Sequence, residues 1–182
     1  MPYRGHNNEK AYMLRKLYTK KDIAGAVKRL ARSIEKDFPG EEILFVCLLK
    51  GSFMFTSDLV RSIRNPSRVD FMRVSSYGKA MRSGGKVTVT KDLEEEIEGK
   101  NVIIVEDIID SGLTLKSISD MLKRRNPKAF KICSLIDKKA RREVAIEGDY
   151  VGFTIEDGFV VGYGIDYAEQ YRNYPEIYVV EE

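Results

Sequence analysis

Val102-Ile103-Ile104-Val105-Glu106-Asp107-Ile108-Ile109-Asp110-Ser111-Gly112-Leu113-Thr114-Leu115 passes from a β-branched run through acids into a small, hydroxylated turn. The four residues Val102 to Val105 suit a strand buried on both faces, as in a parallel sheet covered by helices. Beyond the turn, Leu115, Ile118, Met121 and Leu122 recur at helical spacing, with Lys116, Ser117, Asp120 and Lys123 between them and Asn126-Pro127 as a stop. Asp110 to Thr114 therefore sits at a helix N-terminus. Free backbone N–H groups and the positive end of the helix dipole make such a turn attractive to phosphate, and Ser111 and Thr114 add hydroxyl donors. Gly112 lets the backbone approach a ligand closely.

The acids need a second explanation, because Glu106, Asp107 and Asp110 place negative charge beside a site that attracts anions. Carboxylates accept hydrogen bonds from a sugar's vicinal hydroxyls, and Mg²⁺ is usually held by one or two carboxylates together with substrate phosphates. A phosphorylated sugar with Mg²⁺ satisfies every group. The bland reading of the same residues is an ordinary strand, turn and capped helix with solvated acids.

The chain has 182 residues, 43% of them hydrophobic, which suits one domain spanning 1–182 with a sizeable core. Its 31 basic and 28 acidic residues are dispersed and leave a formal charge of +3, too weak a balance to expect nucleic acid as a partner. Lys20-Lys21, Lys123 to Arg125 and Lys138 to Arg142 are local clusters that read first as solvated faces. Cys47 and Cys133 lie in apolar, strand-like runs and read as small buried hydrophobes, which fits a reducing cytoplasm. No run has membrane length, and no signal-peptide pattern or repeat is visible. The single histidine, His6, stands in a polar N-terminal segment, so triads, Cys-His dyads and multi-His zinc sites are rejected. Residues 1–18 read as an N-terminal arm of unknown role.

Elsewhere strands and helices alternate. Thr19 can cap a helix with Asp22 at the third position, a weaker form of the capping box, and Ile23, Val27, Leu30, Ala31 and Ile34 mark its apolar face up to Pro39-Gly40. Ile43 to Leu49 is a second buried strand, leading through Lys50-Gly51-Ser52 into a helix with Phe53, Phe55, Leu59, Val60 and Ile63. Val69 to Ser76 reads as a strand, Ser76 to Gly85 as a mobile loop, and Val87 to Thr90 as β again. Phe130 to Ile136, Val151 to Ile155, Phe159 to Val161 and Ile177 to Val180 complete the strands. This order predicts an α/β parallel sheet. Ligands gather beyond the carboxyl ends of such strands, where Lys50, Glu106, Asp107, Asp110 and Lys138 all fall.

The central stretch resembles the phosphoribosyl pyrophosphate motif of type I phosphoribosyltransferases: hydrophobics, two acids, two hydrophobics, Asp, a small hydroxylated residue and Gly-x-Thr. Four further segments resemble the hypoxanthine-guanine branch of that family, so the likeness spans about residues 19 to 180. Leu49-Lys50-Gly51-Ser52 is similar to the pyrophosphate loop, which the family often strains into a cis Leu-Lys peptide. Val74 to Gly78, with Ser76-Tyr77 at its centre, is similar to the start of the flexible loop that closes over the reacting sugar. Ser134 to Lys138 is similar to the strand whose lysine bonds the exocyclic oxygen of a 6-oxopurine. Phe159 to Tyr167 resembles the purine-stacking and metal segment, and Arg172 falls at a pyrophosphate-contacting arginine. Gly162-Tyr163-Gly164 is not a dinucleotide fingerprint, since Tyr167 stands where a third small residue belongs.

The resemblance implies a central, mainly parallel sheet flanked by helices, with a small hood built from terminal segments and a flexible active-site loop. It implies transfer of phosphoribose from phosphoribosyl pyrophosphate to a 6-oxopurine base, with Mg²⁺ at Glu106, Asp107 and Asp166. Glu106, Asp107, Asp110, Ser111, Gly112, Leu113 and Thr114 would hold the ribose and its 5′-phosphate, and Asp110 would be the proton acceptor. Leu49, Lys50, Gly51 and Arg172 would receive pyrophosphate; Lys138, Phe159, Val160 and Asp166 would form the purine side. The family implies a homodimer or homotetramer. Two rival readings stay open: a xanthine-preferring relative, and a regulator that reuses the fold to sense phosphoribosyl pyrophosphate. Regulators tend to lose the lysine loop or purine segment or to add a DNA-binding domain, whereas here both segments are present and no added domain is visible.

Overall fold

The structure, a computed structural model, describes residues 13–75 and 87–181. His6, Ser76 and Tyr77 lie outside the described residues. In chain order the elements are β1 (Met13–Tyr18), α1 (Lys20–Asp37), β2 (Ile43–Leu49), α2 (Phe53–Ser62), β3 (Ser67–Ser75) and β4 (Thr88–Lys91). They continue with β5 (Asn101–Ile109), α3 (Leu113–Lys123), β6 (Ala129–Lys138), β7 (Tyr150–Ile155), β8 (Phe159–Val161) and β9 (Ile177–Glu181).

Six strands form the main sheet in the order β4-β3-β2-β5-β6-β7. β3, β2, β5, β6 and β7 run parallel, and β4 is an antiparallel edge. The chain steps outward from β2 to β3 and, in the opposite direction, from β5 to β6. The adjacent strands β2 and β5 therefore flank the topological switch, where α/β sheets open a crevice for ligands.

Both faces of the sheet are covered, which is why β2 and β5 read as unbroken apolar runs instead of alternating. Ile43, Phe45 and Ile103 pack with Ile23, Val27, Leu30 and Ile34 of α1 and Phe55 and Leu59 of α2. Leu44, Val46, Val102 and Ile104 face the opposite way, against Leu115, Ile118 and Leu122 of α3. Cys47 and Cys133 are buried free thiols in these runs, and burial pushes both above the ordinary thiol range. The capping box of α1 is complete: Thr19 Oγ1 accepts the Asp22 N–H at 3.2 Å, while Asp22 Oδ2 accepts the Thr19 N–H at 2.9 Å.

A second sheet, in the order β1-β9-β8, is antiparallel and joins chain ends to the penultimate segment, as the expected hood requires. Of residues 1–18, read from the sequence as an arm of unknown role, Met13–Tyr18 is a paired strand of this hood, and residues 1–12 lie outside the described residues. Two strand limits also move. β3 starts at Ser67 because its parallel ladder to β2 begins there, and β5 runs past Val105, through both acids, to Ile109.

Candidate active site

The extension of β5 places Glu106 and Asp107 on the strand itself, held by a ladder to β6 that pairs Glu106 with Ser134 and Ile109 with Asp137. Both acids are half-buried, and neither forms an ion pair among the described residues. Burial, and then the negative Asp107 beside it, pushes the Glu106 carboxyl well above the usual carboxylate range. Asp107 Oδ1 accepts the Ile108 N–H at 2.9 Å. Asp110 follows the end of β5. One of its carboxylate oxygens is buried without a hydrogen-bond partner among the described residues, and the other lies 3.7 Å from Arg141 Nη1.

α3 begins at Leu113, so the turn is shorter than the sequence suggests: Gly112 is the N-cap, at φ +82°, and Thr114 is already helical. No side chain caps this helix, and the first amides keep their hydrogen-bonding capacity. Ser111 Oγ, 3.4 Å from the Leu113 N–H, is at the outer limit of a bond. The bare turn at this helix N-terminus has the form that the sequence reading expects of a phosphate cradle.

The loop after β2 meets this strand from one side. Leu49–Lys50 is a cis peptide. Gly51 lies so close to Asp107 that a β-carbon there would collide with the Asp107 carboxylate. Lys50 Nζ donates to Glu169 Oε2 at 2.9 Å. Arg172 Nη2 lies 3.3 Å from the same Glu169 oxygen and 2.8 Å from Asp166 Oδ1, while its Nη1 donates to the Gly164 carbonyl at 2.8 Å. The two cations expected at pyrophosphate thus share one carboxylate. The tie of Glu169 to Lys50 crosses 119 positions and leaves no local signal in the sequence.

Lys138 ends β6 and is 4% exposed, which overturns the solvated-lysine alternative. Its ammonium has no ion-pair partner among the described residues. Val160 is buried in β8. Phe159 stays 45% exposed, with its ring edge-on to Tyr167 at 5.2 Å and 82°. An exposed aromatic face of this kind can take a stacked base. Leu49, Lys50, Glu106, Asp107, Asp110 and Lys138 all stand at the carboxyl ends of β2, β5 and β6, while Phe159 and Val160 come from β8 of the hood and Asp166 and Arg172 from the connection between β8 and β9.

The donors suit Mg²⁺ by type. Glu106 and Asp107 offer adjacent carboxylate oxygens with no ion-pair partner among the described residues, and Mg²⁺ is commonly held by one or two carboxylates plus substrate phosphates. Among the described residues no three histidine, cysteine or carboxylate side chains converge as a complete protein cage. Asp166 would have to exchange its Arg172 partner to serve.

A family model described as a phosphoribosyl transferase domain matches residues 14–168. Hypoxanthine-guanine phosphoribosyltransferase of Aquifex aeolicus is 49% identical over 170 residues, covering 93% of this chain and 96% of that protein. Hypoxanthine phosphoribosyltransferase of Salmonella typhimurium is 50% identical over 156 residues, covering 85% and 88% respectively. Among solved structures, a hypoxanthine-guanine phosphoribosyltransferase from Bacillus anthracis superposes with a TM-score of 0.89 at 51% identity, covering 92% of this chain and 98% of that one.

Proposed function

The chain belongs to the phosphoribosyl transferase family, and from that premise we propose that it is a purine-salvage enzyme joining hypoxanthine or guanine to phosphoribosyl pyrophosphate. The products are IMP or GMP and pyrophosphate. The observation that carries this reading is that the carboxyl ends of the neighbouring strands β2, β5 and β6 carry an uncapped helix turn, the Glu106 and Asp107 carboxylates and Lys138, the last three without an ion pair among the described residues.

Each group has a task in the bond exchange. The bond from the sugar's anomeric carbon to pyrophosphate breaks as the bond to the purine's ring nitrogen forms, through a ribosyl cation. The bare turn from Ser111 to Thr114 holds the 5′-phosphate. Glu106 and Asp107 accept hydrogen bonds from the ribose hydroxyls, and with Asp166 they are the residues that would hold Mg²⁺. When bound, Mg²⁺ supplies charge neutralisation at the pyrophosphate oxygens. Lys50 and Arg172 take up negative charge on the leaving pyrophosphate, and Gly51 lets it approach the backbone. Asp110 accepts the proton that the purine loses at N7. Lys138 donates to the exocyclic oxygen of a 6-oxopurine, where an amino group would offer no acceptor. Phe159 stacks on the base and the Val160 main chain borders its edge.

The partner of this chain is a second copy of itself, as a homodimer or homotetramer. Val69 and Phe71, on one face of β3, remain exposed and support this arrangement. The cytoplasm is the proposed location, supported by two free thiols held in the core; no helix among the described residues is long and apolar enough to cross a membrane.

Product identification tests the proposal. Purified protein given phosphoribosyl pyrophosphate, Mg²⁺ and hypoxanthine should yield IMP and pyrophosphate in equal amounts by chromatography. Pyrophosphate without nucleotide would reveal a hydrolase instead.

A further inference from the structure

Arg142 sits in the basic cluster after β6, where sequence alone suggests a solvated face. Its side chain is instead 14% exposed and reaches back under the site. Nε donates to the Asp110 carbonyl at 3.1 Å, Nη2 lies 3.5 Å from the Ile109 carbonyl and 3.4 Å from the Lys138 carbonyl, and Nη1 donates to the Ile146 carbonyl. Nη2 also pairs with Asp137, whose carboxylate is buried. β5 ends at Ile109 and β6 at Lys138, so the Ile109, Asp110 and Lys138 carbonyls lie at or just past the ends of these two paired strands, and Ile146 lies in the loop after β6. One planar guanidinium ties the ends of β5 and β6 together through their main-chain oxygens, a task suited to its rigid, forked set of donors. The loop carrying it is fastened to the same turn, since the Glu143 N–H donates to the Ser111 carbonyl at 2.9 Å.

We infer that Arg142 is a positioning residue that sets the proton acceptor Asp110 and the base-selecting Lys138 at a fixed separation, by bonding the main chain of both. The inference rests on the proposed roles of those two residues. It does not involve the pyrophosphate side, because Arg142 touches neither Lys50 nor Arg172. Arg142 therefore couples turnover to base choice while leaving pyrophosphate binding alone.

Arg142→Lys tests this, because lysine keeps the charge beside Asp137 but cannot reach several carbonyls at once. The measurements are circular dichroism, kcat and KM with hypoxanthine and with adenine, and inhibition by pyrophosphate. A folded variant should lose about 10²-fold in kcat/KM for hypoxanthine, the scale of an ångström misplacement. Its preference for hypoxanthine over adenine should shrink about tenfold or more, since selection depends on where Lys138 is held. Pyrophosphate inhibition should stay within about twofold, as expected for an independent site. Methylguanidinium added to Arg142→Ala should restore part of both lost properties. A folded Arg142→Lys with unchanged base preference, or one losing pyrophosphate binding in the same proportion, would overturn the inference. If Arg142→Lys fails to fold, the neutral pair Arg142→Gln with Asp137→Asn takes its place under the same criteria; failure of both to fold would make Arg142 a stability element and overturn the inference. A wild-type protein that makes no nucleotide from hypoxanthine would overturn the proposed function itself, and this inference with it.

Discussion

Gly164 packs on the carbonyl oxygen of Gly51 so closely that a β-carbon at position 164 would collide with it. The contact joins the connection between β8 and β9 of the hood to the loop after β2. Gly164 also holds φ +98°, a conformation that L side chains rarely adopt. Gly164→Ala should therefore lift this segment from the Lys50-Gly51 loop. We expect about 1–3 kcal/mol of destabilisation, typical of overpacking, and weaker inhibition by pyrophosphate. Thermal unfolding together with pyrophosphate inhibition checks both; unchanged values in the two would show that the contact is not needed.

Asp110→Asn should keep the fold and the binding of phosphoribosyl pyrophosphate but lower kcat about 10²-fold, within the usual contribution of a positioned base. Steady-state kinetics with hypoxanthine decides this, and an unchanged kcat would remove Asp110 from proton transfer.

Lys138→Ala should lose discrimination more than it loses stability, because its ammonium has no ion pair among the described residues to break. The ratio of kcat/KM for hypoxanthine to that for adenine should fall. A variant that keeps the ratio would assign base choice to other groups.

The folded state holds the Glu106 carboxyl well above its ordinary range, so it binds a proton that the unfolded chain releases at lower pH. Stability from this group is therefore full below the unfolded pKa and is lost as pH rises toward the folded value. Glu106→Gln removes that loss. Its melting temperature should exceed that of the wild type at pH 7 to 8 and the gap should close on acidification toward about pH 4, below the usual glutamate pKa. A gap independent of pH would show that Glu106 carries no such burden.

Glu169 holds Lys50 and Arg172 together where an anion is expected to bind. Glu169→Gln removes the negative charge that Lys50 and Arg172 share, leaving Arg172 on Asp166, and should tighten pyrophosphate inhibition a few-fold, more so at low salt. Weaker inhibition would mean that Glu169 orders the cations for the ligand instead of competing with it.

What could be read from the sequence follows the range of the interactions. The buried runs Ile43 to Leu49 and Val102 to Val105 declare strands through composition alone, and the bare turn before α3 is legible because strand, turn and helix are contiguous. β1 was not legible: Met13–Tyr18 reads MLRKLY, with little apolar pattern, and is a strand only because β9 pairs with it from the far end of the chain. The extension of β5 through Glu106 and Asp107 was hidden too, since acids suit a loop until the β6 ladder holds them. Lys138 and Arg142 look alike as members of a basic cluster, and tertiary packing alone distinguishes both from the exposed Lys139 and Arg141 beside them.

The central claim, transfer of phosphoribose to a 6-oxopurine selected by its oxygen, is tested most directly by nucleotide formation from phosphoribosyl pyrophosphate and Mg²⁺ with hypoxanthine, guanine, xanthine and adenine supplied separately. The account predicts turnover of hypoxanthine or guanine and none of adenine. Adenine turnover at a comparable rate, or no turnover of any base despite tight binding of phosphoribosyl pyrophosphate, would contradict it, the second outcome marking the protein as a sensor.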